Sequence, residues 1–196
     1  MSKTITLEQI RAAAQKLSIE TAVLLAVMDV ECRGSGFLAS GEPVILFERH
    51  WFWRLLGKQR WFTKRLEFMA KHPRICNPKA GGYGRYSEQH AKLGIATRLN
   101  RDCALQSASW GLGQVMGFHW KKLGYSSLQE FVNAMYDNEA RQLDAMVRYI
   151  EVFGLADELR DKNWAGFAYG YNGRAYRKNR YDEKLAMAYK KHQHTK

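Results

Sequence analysis

Two glutamates hold the most chemical promise in this chain, Glu31 and Glu48. Glu31 closes the stretch Thr21-Ala-Val-Leu-Leu-Ala-Val-Met-Asp-Val-Glu-Cys-Arg-Gly34, which reads as a buried helix that stops at Gly34. A carboxyl in the last turn of such a helix is discouraged from ionising twice, by burial and by the partial negative charge of the helix C-terminus. A glutamate kept protonated near neutral pH can serve as the general acid of glycosidic bond cleavage. The alternative is a solvated Glu on the polar side of a helix end. Glu48 follows the short apolar run Pro43-Val-Ile-Leu-Phe47 and is the first candidate for a second carboxylate. A base would stand roughly 6.5–9.5 Å from the acid and a nucleophile about 5–5.5 Å from it. An ion pair with Arg49 or Arg54 is the competing reading of Glu48, and Glu42 and Asp102 are weaker candidates.

Three segments far apart in sequence can converge on these acids. The first is Val30-Glu-Cys-Arg-Gly-Ser-Gly-Phe37 with Ile45-Leu-Phe-Glu-Arg-His50, the second Ser109-Trp-Gly-Leu-Gly-Gln-Val-Met-Gly117, the third Phe167-Ala-Tyr-Gly-Tyr-Asn-Gly-Arg-Ala-Tyr176. Glycines at 111 and 113 let backbone approach a ligand closely. Trp110 and Tyr171 read either as ligand platforms or as core, and Asn172-Gly173 either as a contact or as a plain turn. Cys32, Cys76 and Cys103 are odd in number and irregular in spacing, which is no disulfide framework. No His and Cys cluster suggests a metal, and no cofactor motif appears. Cys32 reads as a small buried residue rather than a nucleophile, and His90, His192 and His194 as solvated.

The elements that must carry these residues are mostly helical. Thr6 and Gln9 form a capping-box pattern, and Leu7, Ile10, Ala14 and Leu17 line one stripe behind it. Ser18 reads as the cap of the helix that bears Glu31. Pro43–Phe47 is the strand candidate. Residues 73–84 are loop, rich in Pro, Gly and Asn. Ser87 caps a helix to about Cys103, Trp110 to Gly117 is a short helix or turn, and Ser127 caps another helix. Leu143, Met146, Val147, Ile150 and Phe153 mark a strong amphipathic helix. Trp164 to Tyr169 is short and apolar, and a last helix runs from Arg174 to Lys191 into a basic tail. The expected architecture is mainly α with an α+β character, many short helices around a small β element and one cleft.

At 196 residues one domain is the default, spanning 1–196, and 46% apolar residues suffice for a sizeable core. Six Trp and ten Tyr can pack or stack on sugar rings or bases. The net charge of +12 directs the chain to polyanions: nucleic acid, an anionic membrane or an acidic wall polymer. Between Arg49 and Lys79 nine Lys/Arg face one acid, Glu67, and between Arg174 and Lys196 eight face Asp182 and Glu183. A nucleic-acid binder would use the first of these stretches, with Trp51, Trp53, Trp61 and Phe62 as stacking platforms. No helix-turn-helix or zinc-finger pattern supports that class, and such a binder has no need of a buried acid. Met-Ser-Lys-Thr-Ile-Thr at the N-terminus has no signal-peptide core, and the apolar run Ala22 to Met28 is too short for a bilayer. The expectation is a protein made in the cytoplasm that something else must release.

The ordered combination of Glu31 at a helix end, Ser-Trp-Gly-Leu-Gly-Gln at 109–114 and Tyr-Asn-Gly at 171–173 resembles the phage and bacterial N-acetylmuramidase family of endolysins, within the lysozyme-like superfamily. It is also similar to goose-type lysozymes and lytic transglycosylases. The match runs from about Glu8 to Tyr189. It implies a lysozyme-like fold with Glu31 as general acid. Ser109, Trp110 and Gln114 would be the cleft-lining turn, Tyr171 and Asn172 the later sugar contacts, and His50 a further substrate contact. The implied substrate is the peptidoglycan glycan strand, cut between N-acetylmuramic acid and N-acetylglucosamine by a monomer, without cofactor and without nucleic acid. It also implies a place of action, the periplasmic wall, reached from the host cytoplasm by a holin-type route. The family usually has Ser after the acid, where this chain has Cys32. If no second carboxylate is in place, the substrate's own acetamido or 6-hydroxyl group would do its work, as in a transglycosylase. The segment from Glu183 to Lys196 is a candidate for disturbing an anionic outer membrane, against the alternative of a docked helix with a frayed tail.

Overall fold

The structure, a computed structural model, describes residues 3–32 and 34–194; Met1, Ser2, Arg33, Thr195 and Lys196, which fall within the N-terminal, post-Glu31 and C-terminal readings above, lie outside the described residues. Helix α1 (Leu7–Lys16) starts as its sequence dictates: Thr6 Oγ1 accepts from Gln9 N–H and the Gln9 side chain accepts from Thr6 N–H. Ile10, Ala14 and Leu17 are buried, whereas Leu7 is left exposed. Helix α2 (Thr21–Glu31) is apolar on nearly every side, with Ala22, Val23, Leu24, Ala26 and Val27 buried, so it runs through the interior. Ser18 does not cap it. With φ +54°, Ser18 makes the left-handed corner between α1 and α2, and Glu20 holds the cap position without a side-chain bond.

Beyond a loop, strand β1 (Ile45–Phe47) leads directly into α3 (Arg49–Lys58), which folds back on α4 (Phe62–Lys71); α4 contributes no buried residue of its own. After the 73–85 loop come α5 (Gln89–Leu99) and α6 (Arg101–Gln106). The single helix expected from Ser87 to Cys103 is therefore two. Asn100 is extended (φ −155°, ψ 105°) and its side chain caps α6 by accepting from Cys103 N–H at 2.9 Å. The local Asn bond outcompetes the next helical turn.

Of the two readings of Trp110 to Gly117, short helix or turn, the structure has the turn: residues 111–114 join β2 (Ala108–Trp110) and β3 (Val115–Met116) in a hairpin, with β2 antiparallel also to β1. Gly111 (φ +65°) and Gln114 (φ +47°) take left-handed conformations that a right-handed helix cannot contain. The register stacks Ile45, Trp110 and Val115 in one row and Leu46, Ser109 and Met116 in the next. Alternate side chains of a strand point to opposite faces, so the first row enters the core and the second faces out.

Helix α7 (Leu128–Asp137) is capped by Ser127 as expected, and α8 (Glu139–Val152) carries the buried stripe Leu143, Met146, Val147 and Ile150. Two buried polar residues on α8 hold the loops of the site. Glu139 accepts from Ser35 Oγ (2.9 Å), Gly36 N–H (2.8 Å) and Ile5 N–H (3.0 Å). Gln142 accepts from Leu112 N–H (2.9 Å) and donates to the carbonyls of Gly36 (3.2 Å) and Met135 (2.9 Å). A Cβ at Gly36 would run into Gln142, so the glycine is required by close approach.

Helices α9 (Ala156–Arg160), α10 (Trp164–Asn172) and α11 (Tyr181–His192) complete the chain. The last helix starts later than expected, because residues 174–179 form a 3₁₀ turn that ends at left-handed Arg180. It packs along α2, and its end is tied down: Tyr189 Oη donates to Glu20, while Lys191 and His192 both meet Asp29 Oδ2 at 2.9 and 2.8 Å. The whole is mainly helical with one small three-stranded antiparallel sheet, and its buried apolar side chains form a contiguous core. Among the described residues no helix is long and apolar enough to cross a membrane.

Candidate active site

A groove of about 270 Å³ opens over the outward row of the sheet. Leu46, Ser109 and Met116 form part of its floor, Val30 and Glu31 arrive from the end of α2, Glu48 from the end of β1, and Tyr171 and Asn172 from the end of α10. Tyr86 and Tyr181 complete the wall.

Glu31 is the last residue of α2, and Cys32 N–H still bonds back to Met28 O at 2.8 Å. Its carboxylate therefore sits where the carbonyl ends of the helix concentrate partial negative charge. Asn172 Nδ2 donates to Glu31 Oε1 at 2.8 Å. Asn172 can reach because α10 ends there, with Gly173 (φ +75°) turning the chain away. Tyr171 is fixed one residue earlier: its hydroxyl donates to Gly113 O at 2.9 Å and its ring stacks on Phe167 with centroids 5.3 Å apart. Burial, with Glu31 close by, raises the Tyr171 pKa far above its ordinary range, so it stays a phenol.

Glu48 occupies the opposite kind of position. It stands at the cap of α3 yet makes no side-chain cap bond, so its carboxyl is free to turn to the groove while the helix N-terminus lends partial positive charge nearby. Burial pushes its pKa up, partly offset by a hydrogen bond from the Tyr83 hydroxyl. The ion pair with Arg49 or Arg54 does not form. Arg49 donates to the carbonyls of Lys79, Ala80 and Pro73, and Arg54 lies over the Trp51 ring.

The predicted turn residues separate. Ser109 lies at the groove, and its hydroxyl donates to Gln114 Oε1 at 2.9 Å. Gln114 lines the groove too, and its Nε2 donates to Gly111 O at 2.8 Å, stitching the hairpin turn. Trp110 does not line the groove. At 1% exposure its indole is core, donating to Leu105 O at 3.1 Å and packing edge-on against Phe131. Ser109 faces the groove, so strand alternation turns Trp110 away. His50 also stands back from the groove, in the first turn of α3, with Nδ1 3.4 Å from Glu48 Oε2 but not aligned for a hydrogen bond. Burial and then the guanidiniums of Arg54 and Arg49 lower its pKa, which favours the neutral imidazole. Glu42, a weaker candidate, instead contacts His90 and Ser40, and Asp102 lies beside Arg101.

Cys32 stays a thiol at neutral pH: burial, then the charges of Glu31, Glu139 and Asp29, push its pKa to about 12. Cys32, Cys76 and Cys103 are all free. His90 and His192, expected in solvent, are mostly covered, with ring nitrogens 2.8 Å from Pro43 O and from Asp29. Among the described residues no group of three or more His, Cys, Asp or Glu side chains gathers as a metal site. Sequence reasoning missed Tyr83, Tyr86 and Tyr181. The first two carry a usable signal, aromatics interleaved with glycine in Gly-Gly-Tyr-Gly-Arg-Tyr at 81–86. Tyr181 carries none, since only the docking of α11 brings it in.

A small side chamber of about 110 Å³ adjoins the groove between Gly113, Met116, His119, Tyr149 and Tyr171. Burial and then the charge of Lys122 lower the His119 pKa to about 4, so this chamber is uncharged at neutral pH.

Comparison with known proteins gives similarities at the level of family and of structure. A family model described as "Muramidase: N-acetylmuramidase" matches residues 20–193. The fold and sequence are similar to those of a Burkholderia AP3 phage endolysin crystal structure, at TM-score 0.91 and 41% identity, covering 98% of this chain and 73% of the endolysin chain. Among curated proteins none matches.

Proposed function

The chain belongs to the N-acetylmuramidase family, and from that premise we propose that it is a peptidoglycan hydrolase of the endolysin type that cleaves the β-1,4 bond between N-acetylmuramic acid and N-acetylglucosamine. The observation that carries the reading is the pair of carboxyl groups at one groove, one from each kind of helix end. The C-terminal end of α2 disfavours negative charge at Glu31, whereas at Glu48 the N-terminal end of α3 works against the burial that raises its pKa. The two helix ends act in opposite directions on the two acids, and on that difference the roles are assigned. Glu31 donates a proton to the glycosidic oxygen as the leaving sugar departs. Glu48, ionised, supplies the second carboxylate, which activates the water or takes the sugar carbon itself. Asn172 orients the Glu31 carboxyl through its amide, and Ser109 and Gln114 offer polar atoms to the glycan along the floor.

The net charge of +12 supports a wall substrate, because bacterial envelopes and stem peptides are anionic. Action on the periplasmic wall after release from the cytoplasm belongs to the same proposal. The outer-membrane role of the C-terminal segment is proposed separately. Met187 is 72% exposed on α11, and Lys190 is exposed beyond it. Deletion of residues 190–196 that leaves killing of intact Gram-negative cells unchanged would remove that role.

The decisive experiment digests purified peptidoglycan with the wild type, Glu31→Gln and Glu48→Gln, with products identified by mass spectrometry. The wild type is expected to release reducing-end N-acetylmuramic acid, and each variant to lose about 10²–10⁴-fold in kcat. Anhydro-muramic ends would show transglycosylation instead, and intact glycan from the wild type would remove the hydrolase reading.

A further inference from the structure

We propose that the cationic pocket beside the Tyr86 wall of the groove binds the acidic stem peptide of the glycan strand, so that the substrate is held by its peptide as well as by its sugars. The inference rests on the peptidoglycan reading above and deepens it.

The pocket measures about 380 Å³, larger than the groove, and lies between the end of α4, residues 73–75 and α5. Lys71, His72, Arg74 and Lys92 bring basic side chains to it, and Glu88 brings the one acid. With His72 neutral, three cations and one carboxylate leave a net charge of +2. Ile75 and Ile95 supply apolar lining between the charges. The positive charge is only partly spent within the fold. Glu88 meets Arg74 at 3.1 Å and Lys92 at 3.9 Å, and the buried Lys92 also donates to the carbonyls of Gly82 and Tyr83. The Arg74 side chain nevertheless stays 67% exposed. Lys71 is exposed too, and no carboxylate among the described residues comes within ion-pair reach of it. Two exposed cations beside an apolar concavity suit an anionic ligand with small apolar groups.

The place of the pocket in the fold decides which anion. The 3₁₀ turn Tyr86–Glu88 is shared, because Tyr86 walls the groove and Glu88, two residues on, walls the pocket. The chain leading into this turn is held stiffly. Gln89, fully buried at the start of α5, accepts from Phe47 N–H at 3.0 Å and donates through Nε2 to Tyr83 O at 2.7 Å and Arg85 O at 2.8 Å. The partition between groove and pocket is thus clamped to β1, the strand that ends beside Glu48. A stem peptide starts from the lactyl group of N-acetylmuramic acid and carries alanine methyls along with free carboxylates, the combination that the lining suits. Three or four extended residues reach about 10–14 Å, enough to pass from a sugar in the groove across one turn into the pocket.

The test measures kcat/KM on two sets of soluble glycan strands of matched length, one bearing stem peptides and one stripped of them by an amidase, and takes the ratio. Both substrates meet the same enzyme sample, so partial unfolding of a variant cancels. The wild type is expected to prefer the peptide-bearing strands, and in Lys71→Ala/Arg74→Ala that ratio should fall by about fivefold, the worth of two exposed charge contacts. A ratio that stays at the wild-type value overturns the pocket. An equal fall in Lys58→Ala/Lys121→Ala overturns it as well, because that variant removes the same charge from exposed positions lining neither cavity, and long-range attraction would then account for the preference. A wild type that cleaves both sets alike takes down the pocket and leaves the hydrolase reading standing. A wild type that cleaves neither takes down the hydrolase reading and the pocket with it.

Discussion

Glu31 and Glu48 reach one groove from helix ends of opposite polarity, and that polarity is a property of backbone rather than of neighbouring charge. Arg49 and Arg54, the cations nearest Glu48 in sequence, are engaged with loop carbonyls and with Trp51. Burial is consequently the main influence on Glu48, and it moves the carboxyl upward. The proposed mechanism needs Glu48 ionised, so kcat/KM should fall as pH drops through this raised pKa. The acid limb is expected above the ordinary carboxylate range of about 4.3, as read from initial rates across pH on fragments too small to feel the whole-molecule charge. A limb at or below that range would contradict the burial argument. At the same scale Ser109 and Trp110 show how one backbone step decides a role, since one meets the groove and the other is core.

The elements that aim these residues depend on polar groups hidden in α8. Glu139 receives three donors from Ser35, Gly36 and Ile5, while Gln142 ties Gly36 to the hairpin turn at Leu112. The loop after Glu31 and the turn after Trp110 are thus fixed to the same helix. Replacing Glu139 by Ala would strand several buried donors, at a cost of about 3 kcal/mol, or roughly 6–12 °C in melting temperature. Calorimetry checks this, and a shift under about 2 °C would mean that water replaces the carboxylate without loss. The variant should also lose activity at temperatures where it remains folded, because the Gly36 loop would be released along with the core.

Over the whole molecule, the charge of +12 is what a distant anionic wall senses first. Much of it stays in solvent: along α3 and α4 Arg54, Lys58, Arg60 and Lys64 are exposed. Hydrolysis of intact wall should therefore slow markedly, by about tenfold, between 0.05 and 0.5 M salt as the Debye length contracts. Cleavage of short neutral glycan fragments should change little. Equal salt sensitivity on both substrates, measured by turbidity and by fragment release, would place the effect in the groove rather than in long-range attraction. The basic C-terminal helix is partly withdrawn from this field, since Lys191 pairs with Asp29 and His192 bonds the same carboxyl, holding α11 on α2.

Local pattern was enough for the parts of this protein whose cause is local. The Thr6–Gln9 box, the Ser127 cap, the all-apolar α2 with Glu31 at its end and the Glu48 strand boundary are each written in adjacent residues, because capping and amphipathic burial act within a few positions. The mainly helical class follows from such local patterns, and the family resemblance from Glu31 together with the segments at 109–114 and 171–173. Positions 108–116 were legible only in part: glycine spacing announces a turn, but helix and hairpin share those glycines, and pairing with β1 decided between them. That pairing sent Ser109 to the groove and Trp110 to the core. The Gln89 clamp and the arrival of Tyr181 with α11 had no sequence signature. Each joins segments brought together by packing, and a contact across the fold leaves no periodicity for neighbouring residues to reveal.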